Sequence, residues 1–109
     1  MSLSERTAAI QSTFTKNGLK VLGAVWASPQ TIDFALRGPR NESSVVRCTT
    51  SPAPIDLLEL ATMLAQGDFT SAFIVYTAEE QPHLTGEIQT WPLSRIDELA
   101  ALLAKESPP

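Results

Sequence analysis

The sequence predicts an α/β domain with a mixed central sheet of four to five strands flanked by helices, and three observations carry that prediction. First, runs of strand-forming residues, LKVLGAVWA, TIDFALR and VVRCTT, follow one another through residues 19–50 with only turn-forming breaks between them. Second, segments with apolar residues at helical spacing lie near residues 3–17, near 54–66 and from Ser94 onward. Third, the unbroken apolar run Ala72-Phe73-Ile74-Val75-Tyr76 follows the middle helical segment, as suits a strand covered on both faces.

Each element has its own reason. Ser2 and Glu5 have capping-box spacing, and Leu3, Thr7, Ile10 and Phe14 form one apolar stripe of the first helix. Gly18 suits the left-handed turn that ends it. In TIDFALR, Ile32, Phe34 and Leu36 point one way, while Thr31, Asp33, Ala35 and Arg37 point the other. Residues 38–43, GPRNES, form a hairpin loop, so the first three strands are expected to make an antiparallel meander. Pro54 fits a first helical turn, and Leu57, Leu58, Ala61, Leu64 and Ala65 form the expected apolar face of the second helix. Thr77 to Thr85 is a polar loop, and EIQTW at 87–91 is a short edge strand. Ser94 is expected to cap a third helix that buries Ile96, Leu99, Ala100 and Leu103. The order is αβββαβ(β)α, with helices covering the sheet in two or three layers.

The 109 residues suffice for one domain, 1–109, and two would each be too small to bury an adequate core. Residues 1–3 read also as a cloning leader, and 106–109 as a tail. No apolar run approaches the roughly 20 residues of a membrane span, and the start lacks the basic region and apolar core of a signal peptide. A lone cysteine, Cys48, has no internal disulfide partner, which points to the cytoplasm.

Net charge is −4, which argues against nucleic-acid binding by the whole surface. The distribution is uneven. Residues 1–53 carry six basic and three acidic side chains, whereas 54–109 carry two basic and nine acidic ones. Arg37, Arg40 and Arg47 fall within eleven residues, so a locally basic hairpin could meet DNA or RNA, or be no more than a solvated hairpin tip.

Most common chemistries lack their residues. One Cys and one His, Cys48 and His83, are too few for a zinc site, so no metal is expected. Cys48 reads as a small core residue and His83 as a surface loop histidine. The five glycines are scattered, no phosphate-binding or dinucleotide fingerprint is present, and no cofactor is expected. Trp91 could be exposed at an edge but suits packing better. Asp33 stands out as a carboxylate in mid-strand between Ile32 and Phe34, where charge is costly unless it is paired or wet. It reads either as a strand-face salt bridge to Arg37 or Arg47, or as the remnant of a metal site.

Taken together, the helix, three-stranded meander, crossover helix and buried strand resemble the restriction-endonuclease-like PD-(D/E)xK superfamily, the Mrr-like branch most of all. Thr31-Ile32-Asp33-Phe34-Ala35 matches the family's Asp-bearing strand. Val45-Val46-Arg47-Cys48-Thr49 matches its second motif strand, and Thr70 to Tyr76 the buried one. The resemblance implies a site at Asp33, Arg47 and Thr49. There the sequence departs from the pattern: Arg47 stands where the family has Glu or Gln, and Thr49 where it has the catalytic Lys. Two carboxylate-type ligands hold Mg²⁺ in that chemistry while the Lys activates water. A site with arginine and threonine in those places is degenerate, so no catalytic residue is assigned and the chain is expected not to be an enzyme.

Two roles follow as expectations. One is a catalytically inactive domain with a nucleic-acid-associated role, gripping DNA or RNA through Arg37, Arg40 and Arg47. The other is a protein-interaction or dimerisation module, with the acidic faces of the second and third helices as the contact. An active nuclease would instead show Mg²⁺-dependent cleavage lost on Asp33→Ala.

Overall fold

The computed structural model describes residues 3–79 and 88–105. The Ser2 cap, His83, most of the polar loop and the 106–109 tail lie outside the described residues. Helix α1 (Leu3–Lys16) is followed by strands β1 (Lys20–Ser28), β2 (Thr31–Arg37) and β3 (Ser43–Thr49). Then come helix α2 (Pro54–Ala65), strand β4 (Ser71–Tyr76), strand β5 (Gln89–Pro92) and helix α3 (Ile96–Lys105). The five strands lie in the order β1-β2-β3-β4-β5. The first three pair antiparallel as a meander, and β3–β4 and β4–β5 pair parallel. Both β1 and β5 are therefore edge strands.

The alternation of side chains along β2 and β3 sorts residues into three layers. Ile32, Phe34, Leu36, Val46 and Cys48 face α1 and α3 and join Ile10, Phe14, Leu99 and Leu103 in the larger core. Phe14 and Phe34 meet edge to face, with ring centroids 5.6 Å apart. On the opposite side Val45, Ala72 and Ile74 pack against Leu60 of α2. All of Ala72 to Tyr76 is buried, as the unbroken apolar run predicts.

The turns explain the register. Gly18 has φ +91°, which L side chains rarely adopt, and it turns the chain from α1 into β1. Between β2 and β3, Gly38 N–H donates to Glu42 O at 2.9 Å and Asn41 takes φ 68°, a left-handed conformation asparagine tolerates. The seven residues of each strand then align without slippage, Thr31 opposite Thr49 and Arg37 opposite Ser43.

Two expectations are corrected. Ser94 does not cap α3. It lies inside a 3₁₀ turn, Leu93–Arg95, whose N-cap position is Pro92, fixed at φ −69°. Trp91 beside that turn is half-buried against the larger core and stacks under the Arg95 guanidinium, 4.9 Å from the ring centroid. The second correction concerns α2. Leu58 is 63% exposed and Ala61 and Ala65 are exposed, whereas Asp56 and Leu60 are buried. The helix is rotated from its expected setting because Asp56, one turn before Leu60, points into the sheet.

Cys48 is fully buried, and its thiol is pushed up to about 12 by loss of hydration, with the Asp33 charge adding to the shift. Only a thiolate reacts with disulfide reagents. The native protein at pH 8 is therefore expected to resist 5,5′-dithiobis(2-nitrobenzoate) and to react at the rate at which it opens. Fast stoichiometric labelling in buffer would contradict this packing.

A buried arginine at the candidate functional site

Strand register brings Asp33 directly opposite Arg47, on the sheet face that α2 covers. Arg47 is 2% exposed and is among the largest fully buried side chains. Its Nε donates to Asp33 Oδ1 at 2.7 Å and Nη2 to Asp33 Oδ2 at 2.9 Å, a two-pronged pair. Its Nη1 donates to Asp56 Oδ1 at 3.0 Å and to Glu59 Oε1 at 2.7 Å. One guanidinium thus ties two strands to a helix and faces three carboxylates.

Asp56 serves two purposes. While Oδ1 holds Arg47, Oδ2 accepts from Ala53 N–H at 2.7 Å and caps the start of α2. Pro54 occupies the first turn, where no amide is missed. Helix entry and guanidinium binding therefore share one side chain. Glu59, one turn on, reaches Arg47 from a half-exposed position, so solvent screens its share.

The hydrogen bonds that Arg47 donates to Asp33 hold its guanidinium well above the ordinary arginine range. Burial works against this, and Glu59 and Asp56 add to it. A raised basic pKa contributes stability that is fully present below the unfolded value and is lost only at higher pH. Arg47 therefore stays charged, and its contribution is constant, across the whole neutral range.

Thr49 lies on the same sheet face, but its hydroxyl bonds the hydroxyl of Thr31 at 2.9 Å and touches neither Asp33 nor Arg47 by hydrogen bond. A cleft of about 270 Å³ opens beside this group, lined by Thr31, Thr49, Thr50, Ser51, Arg47, Asp56 and Glu59 among others. Its charged groups are one fully engaged cation and two carboxylates, an environment that repels phosphate. The residues do not suit a divalent cation either, because the space between the carboxylates is occupied by a guanidinium. Among the described residues no group of three His, Cys, Asp or Glu side chains is placed to hold a metal ion.

The basic hairpin separates on folding. Arg47 is interior. Arg37 ends β2 opposite Lys20 and Ser43, four residue pairs from Asp33, and Arg40 is exposed at the tip. Of the acids expected on the outer face of α2, Asp56 turns inward to Arg47, while Glu59 reaches it from the surface.

Sequence reasoning missed Asp56 and Glu59 as partners. The signal was present: Arg47 lies between the apolar Val46 and Cys48, so it needs buried counter-charges, and the next helix offers two acids on one face. No helix is long and apolar enough to cross a membrane among the described residues. Compared with protein-family models, curated proteins and solved structures, the chain matches none.

Proposed function

We propose that the chain is a non-catalytic binding domain on a restriction-endonuclease-like layout, acting by contact with another protein surface. The observation that carries this reading is the Arg47 guanidinium bonded to all three neighbouring carboxylates, where a nuclease of this type would need a metal. The αβββαβ order and the mixed sheet agree with such a layout. Among the described residues no ammonium joins the cluster, and Thr49, where the resemblance puts a lysine, bonds Thr31 instead.

The protein-contact reading draws on the surface. Leu22, Val25 and Trp26 of β1 are 44, 68 and 43% exposed, and Ile55 and Leu58 of α2 are 55 and 63% exposed. Exposed apolar side chains on an edge strand and on a helix suit a contact surface. A second reading, nucleic-acid association, is favoured by one observation: Lys20 pairs with Arg37 at the end of the sheet that also carries Arg40, and Arg37 Nε is buried without a hydrogen-bond partner.

Both readings are tested together. Mg²⁺ titrated into the protein is expected to give no saturable heat, and duplex DNA to stay intact. Mg²⁺-dependent cleavage lost in Asp33→Ala would overturn the non-catalytic reading. Salt-sensitive binding of a labelled duplex, weakened by Arg40→Ala and unchanged by Val25→Lys, would move the assignment to the nucleic-acid role.

A further inference from the structure

Strand β1 is nine residues long, forms one edge of the sheet, and carries a single charge, Lys20, at its start. Residues 21–32 contain no charged side chain and their only proline lies in the turn. Edge strands normally carry charge, proline or a covering segment, because unpaired backbone amides and carbonyls recruit other strands. The regular part of the β1–β2 pairing, Gly23 to Trp26, is bracketed by irregularities near Leu22 and Ala27. Within it Val25 is 68% exposed.

We infer that the β1 edge takes a second copy of this chain, antiparallel, to make one continuous ten-stranded sheet about a two-fold axis at Val25. This names the partner for the protein-contact reading and rests on it. Charge and shape both favour a second copy. Each chain has net charge −4, and this edge is where two such chains meet without bringing like charges together. An antiparallel arrangement centred on Val25 keeps the two Lys20 side chains about 30 Å apart, far beyond the roughly 8 Å Debye length at physiological salt. A parallel arrangement would place them side by side.

Partners in an antiparallel pair lie on the same sheet face, so a two-fold normal to the sheet passes through a residue facing its own copy. Inside the regular stretch only Ala24 and Val25 qualify. Centring on Val25 puts two β-branched side chains together on the α2-facing side, a favourable cross-strand pair. On the other face the small Ala24 then sits beside the partner's Trp26 and leaves room for the indole. The edge thus supplies both the large and the small members of its own match. A nucleic acid or a charged peptide finds no counter-charge there.

The test is sedimentation velocity from micromolar to hundreds of micromolar protein. The expected result is a species of twice the 11.8 kDa chain mass that Val25→Lys converts to monomer, with the thermal midpoint of the monomer little changed. Facing Val25 residues would have Cα atoms about 4.5–5.5 Å apart, within disulfide range. Val25→Cys is therefore expected to oxidise to a covalent dimer, without competition from the buried Cys48. A wild-type chain that stays monomeric throughout overturns the inference. So does a dimer that persists in Val25→Lys or fails to cross-link in Val25→Cys. If the monomeric chain binds an apolar dye that Val25→Lys abolishes, the protein-contact reading survives with another partner. If it does neither, both fall.

Discussion

Replacing Arg47 with methionine is expected to lower the unfolding free energy by about 3–5 kcal/mol, the cost of removing one partner from a buried ion pair. Methionine roughly fills the volume of the arginine stem but leaves Asp33 and Asp56, 13 and 9% exposed, with no cation between them. A domain of this size has a total stability of about 5–15 kcal/mol, so the loss would move the urea midpoint by a large fraction of its value. Arg47→Lys keeps the charge but has no planar fork to satisfy Asp33 at two points, and is expected to fall between the two. In the double variant Arg47→Met with Asp33→Asn, part of the loss is recovered because one of the stranded charges is gone. Equal urea midpoints for wild type and Arg47→Met would show that the cluster contributes nothing to stability.

Asp56→Ala is expected to cost about 3 kcal/mol, from a lost helix cap worth about 1 kcal/mol and a lost charged hydrogen bond worth about 1.5–3 kcal/mol. Asp56→Asn separates the two, because its amide oxygen can still accept from Ala53 N–H while the ionic attraction to Arg47 disappears. Its cost is therefore expected to be smaller than that of alanine. A double-mutant cycle between Asp56 and Arg47 should show strong coupling. The exposed pair Arg95–Glu98 provides the contrast, and Glu98→Ala there should change the midpoint only slightly.

The layout was legible because hydrophobic periodicity is a local property. Ile32, Phe34 and Leu36 alternate, Leu99 and Leu103 repeat at helical spacing, and the structure buries all five. The salt-bridge reading of Asp33 was also legible, but its choice between Arg37 and Arg47 was not. Hairpin register decides that, and register depends on the loop conformation at Gly38 and Asn41. The rotation of α2 was hidden for a different reason. Counting apolar positions placed Leu57 and Leu64 against the sheet, where they pack, but also selected the exposed Leu58, Ala61 and Ala65 and assigned Asp56 to solvent, whereas a charge on the neighbouring strand drew Asp56 inward. A pattern confined to one element cannot register a force exerted by another. The extent of exposed apolar surface on β1 was equally unreadable, since it depends on which parts of the sheet the helices leave uncovered.

The shared guanidinium also bears on how the molecule opens. Because Arg47 is bonded at once to β2 and to α2, neither the hairpin nor the helix can separate without stranding charge in the interior. Amide hydrogens in β2, β3 and the first turns of α2 should then exchange together, as one cooperative unit. In the monomer the β1 edge, tied only on its inner side, is where solvent would enter first.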